Sequence, residues 1–105
     1  MAQNFYDCET IITELAYTTF ASTPEKRYCT YRFSNGIVYR VSGTRLYKID
    51  GKEFLLQPGE LLFLPKGTKF YAKNISDGES YTINFFTMHD IDVLPFKIRI
   101  KIKSL

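Results

Sequence analysis

Apolar and polar residues alternate along most of this 105-residue chain, with a period of two rather than 3.6. Thr68, Phe70, Ala72 and Asn74 share one parity, and Lys69, Tyr71 and Lys73 take the other. A pleated strand with one wet face requires this, because successive side chains point to opposite sides. The same pattern predicts strands over 27–33, 37–41, 45–49, 53–56, 60–64, 68–74, 79–86 and 96–103. Residues 11–20 mix β-branched and aromatic side chains and also read as a strand. A short helix competes there, since Ile11, Ile12, Leu15 and Ala16 would share a helical face.

Turn residues separate these runs. Ser34-Asn35-Gly36, Ser42-Gly43, Gln57-Pro58-Gly59 and Ser76-Asp77-Gly78 each interrupt the alternation. Asp50-Gly51 is a two-residue hairpin signal, because both central residues of a type I′ turn need positive φ. Short strands with turns at this spacing predict a single all-β domain, a barrel or jelly roll. The expected division is an arm over about 1–22 followed by a barrel over about 23–105. No internal repeat or linker breaks that body.

Composition agrees with a folded strand-rich domain: 45% of residues are hydrophobic and 16% aromatic. No apolar run reaches the roughly 18 residues needed to span a bilayer. The N-terminus lacks a basic region followed by an apolar segment, so a cytoplasmic protein is expected. Cys8 and Cys29 are too few for a disulfide framework and are read as reduced thiols. The net charge is +3, but residues 97–103 hold four of the fourteen basic side chains. The remaining ten face eleven acidic ones, which leaves no footprint for nucleic acid. Alternating lysines in that tail suit an edge strand that resists edge-to-edge pairing.

Gly59, Pro65, Gly67 and Asn74 stand at the spacing G-x5-P-x-G-x2-[H]-x3-N. This resembles the second signature of the cupin barrels, with Phe70 in the histidine's place. In the first signature Gly43 fits the closing glycine, which puts Gly36 where a glutamate ligand falls. The paired histidines fall near Thr30 and Arg32, or near Cys29 and Tyr31. None of the four usual ligands is present. The single histidine, His89, lies outside both signatures and cannot assemble a three- or four-ligand site alone.

A narrower resemblance runs from about Glu25 to Phe96. YRVSGTRLYKIDGKEFLLQPGELLFLPKGTKFYAKN, followed by Tyr81-Thr82-Ile83-Asn84-Phe85, is similar to the N-terminal sensor domain of AraC-family transcription regulators. The resemblance implies a metal-free, cofactor-free cupin-type jelly-roll barrel that binds a small-molecule effector, such as a sugar, and forms a homodimer. It also implies a helix-turn-helix domain downstream. No helical pattern follows the barrel before Leu105, so the expectation is a sensor domain without its DNA-binding partner, and no DNA or membrane contact of its own.

The residues expected to bind the effector are Arg32, Arg40, Phe70 and Tyr81. Arg40 shares the parity of Gly36 and Val38, and a guanidinium fork suits carboxylates, phosphates and hydroxyls. Phe70 offers an aromatic wall; alternatively it plugs the barrel, as inward side chains of small barrels usually do. Tyr81 is expected near the rim with Arg32. A metal-independent cupin enzyme is the rival class, but no paired carboxylates point to acid–base chemistry, so no catalytic residue is assigned. A dimerisation module with a filled core is the third reading.

The purified protein is expected to carry no stoichiometric transition metal, because every signature ligand position holds a non-ligand. Elemental analysis of tag-free protein checks this, and about one equivalent of Zn, Fe, Mn or Ni would contradict it.

Overall fold

The computed structural model describes residues 11–22, 25–87, 90 and 92–100. Among them are nine strands and no helix: β1 Ile11–Ala21, β2 Lys26–Cys29, β3 Asn35–Arg40, β4 Arg45–Ile49, β5 Lys52–Leu56, β6 Glu60–Leu64, β7 Phe70–Asn74, β8 Gly78–Thr87 and β9 Phe96–Arg99. They form two sheets, ordered β1-β8-β3-β6-β9 and β2-β7-β4-β5. Every pairing in both is antiparallel. No helix among the described residues is long and apolar enough to cross a membrane.

The core forms where the inner faces meet. Val38, Leu62 and Leu64 from the larger sheet pack with Tyr47, Leu56 and Phe70 from the smaller one. Alternation places them there: β7 buries Phe70, Ala72 and Asn74 and leaves Tyr71 and Lys73 only half-buried. Asp50 and Gly51 both have positive φ, 50° and 76°, as the hairpin joining β4 to β5 demands.

Three expectations need adjustment. The first concerns the arm: residues 11–20 are the strand expected, not the competing helix, and from Ile11 the arm is thus an edge strand paired along β8. Residues 1–10 lie outside the described part. Second, Asn35-Gly36 is not a turn but the buried start of β3. Its turn chemistry is overridden because Asn35 Oδ1 accepts the Lys66 N–H at 2.9 Å, and Gly36 pairs with both Leu64 and Asn84. Third, β2 ends at Cys29 rather than continuing to Phe33. Beyond it the Arg32 N–H donates to Thr68 O at 3.1 Å, and Gly67 N–H donates to Arg32 O at 2.8 Å. The Pro65–Thr68 loop thus clamps the backbone of Arg32, where a continuous strand was expected.

The basic tail does form an edge strand as far as Arg99; residues 101–105 lie outside the described part. Its cations turn to Glu60 on β6, which is 6% exposed. Lys97 Nζ lies 3.2 Å and an Arg99 Nη 3.5 Å from one carboxylate oxygen. The other oxygen accepts the Gln57 N–H at 2.7 Å. Glu60→Gln keeps that acceptor and removes the charge. It should cost about 1–2 kcal/mol, the low end for charged hydrogen bonds because both cations are part-exposed. Urea unfolding checks this, with a loss that shrinks in high salt.

Candidate ligand-binding cavity

A cavity of about 440 Å³ opens between the two sheets, beside the core. The larger sheet contributes Val38 and Arg40 from β3, Leu64 from β6, and Ser80 and Thr82 from β8. The smaller sheet contributes Arg45 and Tyr47 from β4 and Phe70 from β7. Thr19 to Ser22, at the end of β1, and Arg27 and Glu25 line the rest.

Arg40 is 1% exposed, as its inward parity requires. Register explains its first bond: Arg40 lies directly opposite Ser80, and its Nη1 donates to Ser80 Oγ at 2.9 Å. Nε donates to Gly43 O at 3.2 Å. Nη2 has no hydrogen-bond partner among the described residues. It lies against Gly78, where a Cβ would be 2.5 Å from Nη2 and would overlap the Ser42 carbonyl oxygen. Loss of hydration pushes the Arg40 pKa down, and the nearby Arg45 charge adds to that.

Arg45 is the compensated neighbour. One Nη donates to Glu25 Oε2 at 2.5 Å and to Asn74 Oδ1 at 2.7 Å. Desolvation is the largest single influence and opposes its charge, yet the hydrogen bond and charge of Glu25 and the Tyr47 hydroxyl together outweigh it, so its pKa is raised. Its guanidinium also lies 5.6 Å from the Tyr47 ring centroid. Burial pushes the Tyr47 phenol up, against the pull of Arg45. Asn74 closes the group by donating from Nδ2 to Ala21 O at 2.7 Å, which ties β1 to the rim.

Arg32 approaches from the far side. Its Nη2 donates to Asn84 Oδ1 and its Nε to Ser34 O at 3.3 Å. Asn84 is the cross-strand partner of Gly36, and the guanidinium occupies the space a side chain at 36 would need, with Cζ 2.8 Å from an ideal Cβ. A cation therefore sits where the cupin pattern has a glutamate ligand. Phe70 walls the cavity without filling it, its ring centroid 5.6 Å from that of Tyr47. No group of three or more His, Cys, Asp or Glu side chains among the described residues is placed to hold a metal ion. His89 lies outside them.

The structure thus brings Arg32, Arg40 and Phe70 to one cavity. Tyr81 is the exception. It pairs with Tyr39 and faces outward, 50% exposed, while Ser80 and Thr82 take the inner face. Expecting it at the rim fails because β8 inverts the usual rule and turns its polar side chains inward. Arg45 and Tyr47 were missed, though their parity was readable: Lys48, between Tyr47 and Ile49, marks the wet side of β4. Glu25 and Arg27 carry no comparable signal, since a four-residue edge strand is too short to set a face.

No protein-family model matches this sequence, and no curated protein matches it. Solved structures do. A putative glyoxylate-induced protein from Pseudomonas aeruginosa superposes with TM-score 0.66 at 14% identity, over 80% of this chain and 34% of that one. YhaK from Escherichia coli gives 0.66 at 14% identity, over 95% and 48%. ToxT from Vibrio cholerae with an unsaturated fatty acid bound gives 0.56 at 11% identity, over 71% and 29%. The fold is a cupin-type jelly roll. At these identities the likeness is one of fold, and the chain spans less than half of each of these three proteins.

Gly36→Ala tests how tightly the interior is drawn around Arg32. The added methyl must displace the guanidinium from Asn84, at about 1–3 kcal/mol as for other overpacked sites. Adding Arg32→Ala should remove most of that further cost, so in a double-mutant cycle the double variant loses less than the sum of the two single losses. Additive losses would mean that the two positions are independent.

Proposed function

We propose that this chain is the small-molecule-sensing domain of an AraC-type transcription regulator. It acts in the cytoplasm, self-associates, and leaves DNA binding to a separate helix-turn-helix domain. The observation that carries this reading is the 440 Å³ cavity between the sheets, with polar groups converging on it. Its size lies within the range of about 300–1,000 Å³ usual for ligand sites. A filled core would serve a pure dimerisation module better than a walled space does. ToxT, with the same fold, holds an unsaturated fatty acid, which supports a small-molecule occupant here.

The enzyme reading draws less support. Glu25 is the one carboxylate among the described lining residues, and Arg45 engages it. General acid–base chemistry needs a group able to take or release a proton near neutral pH. Four arginines do not meet that need, because they stay protonated.

A thermal-shift screen of sugars, sugar acids and other small metabolites tests the sensing reading. At least one compound should raise the melting midpoint in proportion to the logarithm of its concentration. Phe70→Leu keeps an apolar filler but removes the ring, and should weaken that compound by about 1–2 kcal/mol if the ligand packs on the aromatic wall. A panel without a single stabiliser, or equal binding by folded Phe70→Leu, would count against the site.

A further inference from the structure

The charges lining the cavity do not balance. Arg27, Arg32, Arg40 and Arg45 meet a single carboxylate, Glu25, among the described lining residues. Arg45 takes up that carboxylate at 2.5 Å. Arg40, the most deeply buried of the four, makes its hydrogen bonds to a carbonyl and a hydroxyl, both neutral. No ion pair to it occurs among the described residues.

Two facts make this more than a surplus of basic residues. An arginine cannot relieve its burial by losing a proton, as a lysine can. The charge therefore persists in a poorly hydrated place, where an unpaired ion is costly. In addition, Nη2 carries no hydrogen bond among the described residues, in an interior where buried donors are almost always satisfied. Turning the planar guanidinium off Gly78 toward the cavity would carry Nε and Nη1 with it, so an anion there would replace their neutral partners while giving Nη2 one. Ser80, whose hydroxyl accepts from Arg40, still has its own O–H to donate.

We propose that the cavity binds a small organic oxyanion, a carboxylate or a phosphate ester, whose negative charge pairs with Arg40. The inference rests on the sensing reading above and names its ligand class. Ser80 and Thr82 supply hydroxyls beside the anion, and Phe70, Tyr47 and Val38 supply the surface for its carbon body. A neutral sugar satisfies the hydroxyls but leaves the charge on Arg40 unbalanced.

Calorimetry with shape-matched probes tests this. Glucuronate and glucose 6-phosphate are compared with glucose, and benzoate and phenyl phosphate with benzamide. At least one anion should bind about tenfold or more tighter than its neutral counterpart, as charge-assisted pairing requires. The carboxylate and phosphate arms show which oxyanion the site takes. That anion should lose about tenfold or more in affinity on Arg40→Met. As a readout that does not depend on the variant folding, the Arg40 Nε–Hε signal of wild-type protein is followed by NMR, and should move with the anion but not with the neutral probe. Equal or tighter binding of glucose or benzamide overturns the oxyanion and leaves the sensing reading intact. No binding by any of the four anions at millimolar concentration also overturns it, and the wider metabolite screen then judges the sensing reading separately. An unmoved Arg40 signal at saturation, or wild-type affinity in folded Arg40→Met, overturns the role of Arg40.

Discussion

A guanidinium buried between two sheets has to be solvated by protein, and in this barrel that constraint reaches far beyond Arg40. The inner face of β8 is polar because of it, with Ser80 opposite Arg40 and Thr82 opposite Val38. The turn after β3 presents the Gly43 carbonyl to Nε. Residue 78 must be glycine, since a Cβ there would strike both Nη2 and the Ser42 carbonyl. Neutral dipoles can hold a cation in this way, but they spread its charge rather than cancel it. Arg45, with Glu25 in contact, shows what cancellation looks like one strand away.

The second guanidinium obeys the same logic at the other end of β3. Gly36 and its cross-strand partner Asn84 form a slot, the first by lacking a side chain and the second by offering an acceptor. The Pro65–Thr68 loop fixes the backbone of Arg32 over that slot by two hydrogen bonds. The signature stretch that would aim a histidine into a metal-binding barrel therefore does two things here. It places Phe70 as a wall and positions a cation from the neighbouring segment. Convergence of side chains on the barrel interior is kept while their charge is reversed from ligand carboxylate to guanidinium.

Much of the fold was legible because period-two alternation is a local property. The Asp50-Gly51 turn, the inward parity of Phe70 and the inward parity of Arg40 needed only neighbouring residues. What failed needed partners distant in sequence. Asn35-Gly36 has the composition of a turn, but Lys66 and Arg32 claim its acceptor and its empty side-chain space. The outward face of β8 carries Tyr81 and Ile83, 50% and 42% exposed, so a rule that turns aromatics inward picks the wrong side. Arg45 was readable from the parity of Lys48, whereas its pairing with Glu25 depends on how β2 meets β7 and β4. The network, unlike the strands, is a property of the assembled sheets.

The cavity also stands at the junction of elements that share few direct contacts. Asn74 joins Arg45 on β4 to Ala21 on β1, and its backbone N–H donates to Glu25 O at 3.0 Å. Arg40 hangs from the opposite sheet and feels the charge of Arg45 across the gap. Desolvation is the larger influence against the Arg40 cation, and the Arg45 charge, paired with Glu25, adds to it. An occupant of the cavity touches residues of both sheets at once and stabilises the folded state by an amount that grows with the logarithm of its concentration over its Kd. Its effect is then not confined to the strand it touches. The hydrogen bonds through Asn74 carry the end of β1 along with the rim, because that side chain cannot shift without giving up either Arg45 or Ala21.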